Sequence, residues 1–308
     1  MNSRSVAAAF IACCVAAAAT SPAAAVTSGE VVRDPNGLRR SVVEIDSSAG
    51  ELCSGALIAP DLVLTAAHCV LERAAYRVVL TDRRFRRVAV KAVAAALHPA
   101  FVAGTTPREQ PGVDLAIIKL AEPIGGDFVP LDPSNATAFG EGEAVNLAGY
   151  GLASERQRGS ARVLRSTTLV SLGTLQGRNR VVVVADGQRL AQTAGAGACR
   201  GDSGGPILRG SPETGYQLLG IVSWSSGALR SREATACGGL TAVTPVSEHG
   251  GPEREIARTR NHRCGRQVLC PGRGATSSSA HVHHHPSVGP CPAPNAAGRT
   301  RTSDPPTG

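Results

Sequence analysis

The chain has 308 residues, enough for one large domain or two ordinary ones, and its 42% hydrophobic content allows a buried core. Aromatic residues make up only 3%, so that core must rest on Val, Leu, Ile and Ala; beyond the N-terminus no run approaches the about 18 apolar residues of a membrane helix, which argues against an integral helical membrane protein. The net charge of +8 is uneven: after Gly250 eight Arg stand against Glu253, Glu255 and Asp304, and with no aromatic residue interleaved this tail does not read as a nucleic-acid binder.

In chain order, residues 1–25 read as an export signal. Arg4 supplies the charged start, Val6–Ala19 the short apolar run, and Ala23-Ala24-Ala25 the small-residue cleavage site, so the mature chain is expected to begin at Val26. An Ala-rich buried helix, or a lipoprotein signal ending at Cys13, fits the same stretch less well. The expected location is secreted or periplasmic, an oxidising setting in which disulfides persist. Of nine cysteines, Cys13 and Cys14 leave with the signal, and the seven that remain cannot all pair within the chain.

Ser41–Ile45, Arg77–Leu80, Asp114–Leu120, Ala144–Gly149, Arg180–Ala185 and Tyr216–Trp224 read as strands. They are short, rich in β-branched residues and bounded by Gly, Pro, Asp or Ser. No helix-period segment separates them, which points to an all-β protein. Roughly 220 residues of this pattern is long for one sandwich and comfortable for two small barrels. After Glu248 the large apolar residues nearly vanish, so 249–308 is expected to be a basic tail without a core, either disordered or the product of a shifted reading frame. The latter would account for the stray Cys264, Cys270 and Cys291. His281-Val-His-His-His285 lies in this tail without zinc-finger spacing, and no metal site is expected.

Three segments carry chemistry. In Cys199-Arg-Gly-Asp-Ser-Gly-Gly-Pro206 a serine sits between glycines, which suits a tight turn that exposes its hydroxyl and lets backbone N–H groups face a reacting carbonyl. Leu64-Thr-Ala-Ala-His68-Cys69 offers an imidazole, the side chain that can take a serine proton near neutral pH. Gly112-Val-Asp114 opens an apolar segment that would draw its carboxylate inward, where it can orient an imidazole. Gly201-Asp-Ser-Gly-Gly205 alone also fits the nucleophile turn of α/β-hydrolases. The order His, Asp, Ser excludes that fold, which runs Ser, acid, His, and it excludes the subtilisin order Asp, His, Ser.

From Val26 to Val246 these motifs, their order and their spacing resemble the trypsin/chymotrypsin family of serine proteases. The resemblance implies two six-stranded antiparallel β-barrels with the catalytic site between them: 26–140 as the first, carrying His68 and Asp114, and 141–248 as the second, carrying Ser203. It implies Ser203 as nucleophile, His68 as general base and then acid, and Asp114 as the orienting carboxylate. The N–H groups of Gly201 and Ser203 would form the oxyanion hole, and disulfides Cys53–Cys69 and Cys199–Cys237 are expected. A new N-terminus at Val26 would pair with Asp202, although Thr27 and Ser28 depart from the family's usual residues there. Gly197, Ala198, Ser223, Trp224, Ser225, Gly238 and Gly239 would bind substrate. Gly197 stands where trypsin-like members carry an acid, so the expected residue before the cut (P1) is uncharged. Ser225 replaces a usual glycine.

The expected activity is that of a secreted serine endopeptidase acting through an acyl-enzyme on Ser203. The partners implied are polypeptide substrates, with a protein inhibitor as an open second class; no cofactor, nucleic acid or membrane is implied, and a monomer is expected. A non-catalytic homologue acting as a binding module is the competing reading. It is disfavoured because all three triad positions stand, as do Gly201 and Asp202. An esterase would need the other triad order.

Overall fold

The computed structural model describes residues 26–71, 73–232 and 235–249. The expectations for a signal at 1–25 and a tail from Gly250 onward lie outside the described residues.

The first barrel is built from β2 (Val42–Ser47), β3 (Leu52–Ala59), β4 (Leu62–Thr65), β5 (Tyr76–Thr81), β6 (Arg87–Leu97) and β7 (Ala116–Leu120). These antiparallel strands close in the order β2-β3-β4-β7-β6-β5. Strand alternation sends Val43, Ile45, Leu57, Val63, Val78, Leu80, Ile118 and Leu120 into one core, each close to fully buried. Val, Ile and Leu side chains make up most of this core, with Tyr76, Phe101 and Tyr150 as the buried aromatics of the cluster, which is how a chain this poor in aromatics still closes a six-stranded barrel.

The second barrel uses β8 (Ala144–Gly149), β9 (Arg165–Gln176), β10 (Arg180–Ala185), β11 (Pro206–Ser211), β12 (Gly215–Ser225) and β13 (Thr241–Pro245). They pair in the order β9-β10-β13-β12-β11-β8, and the β8–β9 ladder closes the ring. Val145, Leu147, Leu169, Val182, Val184, Ile207, Leu219, Val222 and Val243 form its core. The two-residue β1 (Glu30–Val31) adds to β9, with Val31 opposite Arg165. The two barrels are thus the expected all-β, chymotrypsin-like architecture.

Two differences from the sequence-based strands matter for the site. β7 begins at Ala116, so Asp114 sits in the bend ahead of it, its carboxylate taken up by His68. β12 carries a register shift between Val222 and Trp224, the kind of bulge that re-aims a side chain next to a site. Beyond Val222 its pairing on one side is with β13 alone among the described strands, and the opposite edge from Ser223 to Ser225 has no strand partner. Among the described residues no helix is long and apolar enough to cross a membrane.

Candidate active site

His68 lies on a 3-10 turn, Ala67–Val70, directly after β4 of the first barrel. Its Nδ1 is 2.8 Å from Oδ2 of Asp114, and its backbone N–H donates to Oδ1 at 3.0 Å. Ser223 Oγ, from β12 of the second barrel, donates to the same Oδ2 at 2.5 Å. Asp114 is fully buried. Burial acts to raise its pKa, but the hydrogen bonds and charge of His68, with the Ser223 hydroxyl, outweigh that and hold the carboxyl below its ordinary value. A carboxylate fixed this way fixes the imidazole too: Nδ1 carries the proton toward Asp114, and Nε2 is left free to accept one.

Ser203 lies on the turn before β11 and shares an open cleft with His68, Gly201 and Arg200. No hydrogen bond joins Ser203 Oγ to His68 here, a contact that commonly tightens only when substrate is bound. The backbone N–H groups of Gly201 and Ser203 donate to no acceptor among the described residues. Gly201 has φ +94°, and a Cβ there would press on Gly151 Cα at 2.9 Å. Gly204 has φ +80°, and its Cβ would run into Thr65 and Ser54. Both glycines are therefore required by the conformation that leaves those two N–H groups unpaired.

The disulfides Cys53–Cys69 and Cys199–Cys237 are formed. The first ties the His68 turn to β3, and its sulfurs lie beside the imidazole as a bonded pair rather than as metal ligands. Asp202 is fully buried and accepts N–H groups from Gly151 at 2.8 Å and Cys199 at 2.9 Å. Burial pushes its pKa up to about 7, against the pull of those two donors and of Arg165. Val26 is fully buried in the second core with Ala196 and Ala198, and the next residue, Thr27, bridges to Gly197 through an N–H to carbonyl bond of 3.2 Å.

Gly197 packs against Gly238 and Gly239, and Ala198 N donates to Thr241 Oγ1 at 3.0 Å. Ser225 Oγ donates to Ala236 O at 2.6 Å, so this serine spans to the segment that carries Cys237. Trp224 lines a neighbouring pocket of about 260 Å³ with Leu240 and Arg178, and the Arg108 guanidinium sits 4.7 Å over its ring.

One participant escaped the sequence reading. Ser54, in β3 between Cys53 and Gly55, donates its hydroxyl to Gly201 O at 2.9 Å and accepts Tyr150 N–H at 2.9 Å. Its own N–H donates to Ser203 O at 2.8 Å. Ser223 was expected only as a substrate-binding wall, and the structure also brings it to Asp114. Neither role leaves a signature in the sequence, because a lone serine in a strand looks like any other.

The family profile described as Trypsin matches residues 29–248. Brachyurin of Leptuca pugilator is 30% identical over 199 residues, covering 62% of this chain and 83% of its own length. Lectizyme of Glossina austeni is 29% identical over 207 residues, covering 59% of this chain and 71% of its own. Among solved structures, neuropsin, a serine protease expressed in mouse brain, superposes with a TM-score of 0.57 at 20% identity, over 76% of this chain and 99% of that one. Human heparin binding protein follows at a TM-score of 0.54 and 21% identity, over 81% and 100%. At such identities the superpositions speak for the fold alone. The profile match runs through both barrels and takes in His68, Asp114 and Ser203 together, and it places this chain in the trypsin family of serine endopeptidases.

Proposed function

We propose that Ser203 is the nucleophile that cleaves polypeptides, with His68 as its general base and Asp114 as the group that fixes His68. The observation that carries this reading is the 2.8 Å contact between His68 Nδ1 and a fully buried Asp114, facing the cleft that Ser203 lines. Ser203 Oγ attacks the scissile carbonyl while Nε2 of His68 takes its proton. The developing oxyanion turns to the free N–H groups of Gly201 and Ser203, which cost no reorganisation because they are held there by the loop. His68 then returns the proton to the leaving amine, and water repeats the sequence on the acyl-enzyme.

The finer reading concerns the substrate and the setting. The P1 side chain enters between Gly197–Ala198, Ser225 and Gly238–Gly239. No carboxylate stands at Gly197, so a P1 Arg or Lys would lose its water without gaining a counter-charge. P1 is therefore uncharged. Substrate backbone adds to the unpaired edge Ser223–Ser225 as an extra strand. The protein is exported, residues 1–25 are removed, and 26–140 and 141–248 act as the two halves of one monomeric enzyme. The amine freed at Val26 pairs with Asp202, a role supported by the burial of Val26 and by a carboxyl that has two amide donors but no cation in contact.

Digestion of an unfolded protein mixture, with cut sites mapped by mass spectrometry, tests this. Cuts after uncharged residues that disappear with Ser203→Ala are expected. Frequent cuts after Arg or Lys would overturn the neutral pocket, and cuts that persist in Ser203→Ala would overturn the nucleophile.

A further inference from the structure

Away from the catalytic cleft, a groove of about 430 Å³ runs between β1, the β5–β6 turn and the segment that leads into β9. Arg33, Arg39, Arg87 and Arg162 line it, and no carboxylate among the described residues does. Arg39 is the unusual member. It is 1% exposed, so its cation is held out of water, yet among the described residues its hydrogen bonds go only to the carbonyls of Thr81 and Pro35. Its Nε has no partner among the described residues, and burial pushes its guanidinium below the ordinary arginine value. The acids that act on it from a distance, Asp127 and Asp82, are engaged by Arg83 and Arg86. Arg87 and Arg162 share the buried Glu44 beneath the groove, and Arg162 also reaches Asp46. Arg33 has no ion pair among the described residues. The groove is left with more cation than its own acids neutralise, and a buried cation without a counter-charge is costly.

The same groove exposes apolar surface. Val31 is 36% exposed, Val163 39% and Phe85 52%. Phe85 is held outward by a turn in which it takes φ +57°. Arginines beside exposed Val and Phe complement a peptide that alternates acids with apolar side chains better than they do a bare anion. The groove also adjoins the cleft: Ala161 lines the wall near His68 and Ser203, and Arg162, the next residue, lines the groove. Trp224 and the substrate-pairing edge lie in a different pocket, so a chain passing Ala161 leaves on the side of the departing amine.

We propose that this groove docks an acidic, apolar-studded segment of a polypeptide substrate, C-terminal to the bond that is cut. This rests on Ser203 as the nucleophile, and the test separates the two. A short peptide cleaved by the exported enzyme is extended through a flexible Gly-Ser spacer by a tail of Asp and Glu with Leu and Phe, or by a Gly-Ser tail of equal length. The acidic apolar tail is expected to raise kcat/KM about tenfold, through KM, by tethering the substrate. Arg33→Glu and Phe85→Ser should each remove most of that gain and leave the short peptide's turnover unchanged. Equal turnover of both tailed peptides would overturn the docking site while leaving the nucleophile intact, whereas no turnover of the short peptide would sink the catalytic reading itself. A gain that survives both substitutions, or one given equally by a tail of acids alone, would also overturn the groove as its cause.

Discussion

Ser54 joins the barrels at the point where chemistry happens. Its hydroxyl is satisfied on both sides, by Gly201 O and by Tyr150 N–H, and its N–H holds Ser203 O. Gly201 O belongs to the peptide next to the proposed oxyanion donor at Ser203, so Ser54 is a positioning residue for that loop. Ser54→Ala strands a buried Tyr150 N–H and frees the Gly201 carbonyl, which should cost about 1–3 kcal/mol of stability. It should lower kcat more than it raises KM, because the donors are used in the transition state. Urea unfolding and steady-state kinetics check both; a fall in stability with an unchanged kcat would reduce Ser54 to a structural link. At this scale the sequence revealed residues whose chemistry is restrictive. Only a few side chains can act as nucleophile, base and orienting acid, so Ser203, His68 and Asp114 could be picked out, and Cys53, Cys69, Cys199 and Cys237 followed from the family resemblance. Ser54 and the bond from Ser223 to Asp114 were not legible, because their roles arise from contacts between strands more than a hundred positions apart in places and from no property of serine itself.

Among the elements, β8 and β10 match their sequence-based bounds residue for residue, at Ala144–Gly149 and Arg180–Ala185. Val182 and Val184 of β10 and Val145 and Leu147 of β8 face the second core, so apolar alternation and burial agree. β6, Arg87–Leu97, was not legible: it is Ala-rich, with only Val90 and Ala95 buried, and the neighbours β5 and β7 impose its extended form. β9 is similar, with a polar first half laid along β8 and its second half along β10. The wall of the proposed P1 pocket is held by longer links. Cys199–Cys237 closes a span of 38 residues, and Ser225 Oγ to Ala236 O braces the same segment. Replacing both Cys199 and Cys237 by Ser should lower unfolding free energy by about 3–4 kcal/mol, chiefly by releasing the unfolded chain. It should also blunt P1 discrimination, since the Gly238–Gly239 wall loses its anchor. Guanidinium unfolding together with cut-site mapping reads both, and a variant that keeps its cut-site profile would show that the wall stands without the bridge.

For the whole molecule, the proposed pairing of a Val26 amine with Asp202, both of them fully buried, would link N-terminal processing to stability and pH. With no cation in contact among the described residues, Asp202 has a pKa raised from 3.8 to about 7, and desolvation is the main cause. The folded chain therefore holds that proton more tightly than the unfolded chain does. The stability this contributes is complete below pH about 4 and is lost as pH climbs through about 7. An amine at Val26 removes that slope. Its charge favours the carboxylate, so the Asp202 pKa falls and the amine's rises in turn; the loss between pH 4 and 7 disappears, and stability falls only as pH climbs past the ordinary amine range of about 8 and through the raised value. Two Ser203→Ala proteins test this, one beginning at Val26 and one extended by two residues ahead of it. Urea midpoints at pH 4.5, 7 and 11 are expected to differ little at pH 4.5, to diverge at pH 7 in favour of the chain beginning at Val26, and to draw together again at pH 11. The extended chain should in addition gain stability at pH 7 from Asp202→Asn, which removes the buried charge, while the chain beginning at Val26 should lose it. Parallel pH profiles for the two proteins would mean that Asp202 is served by Gly151 and Cys199 alone, and that cleavage after Ala25 does nothing to the oxyanion loop.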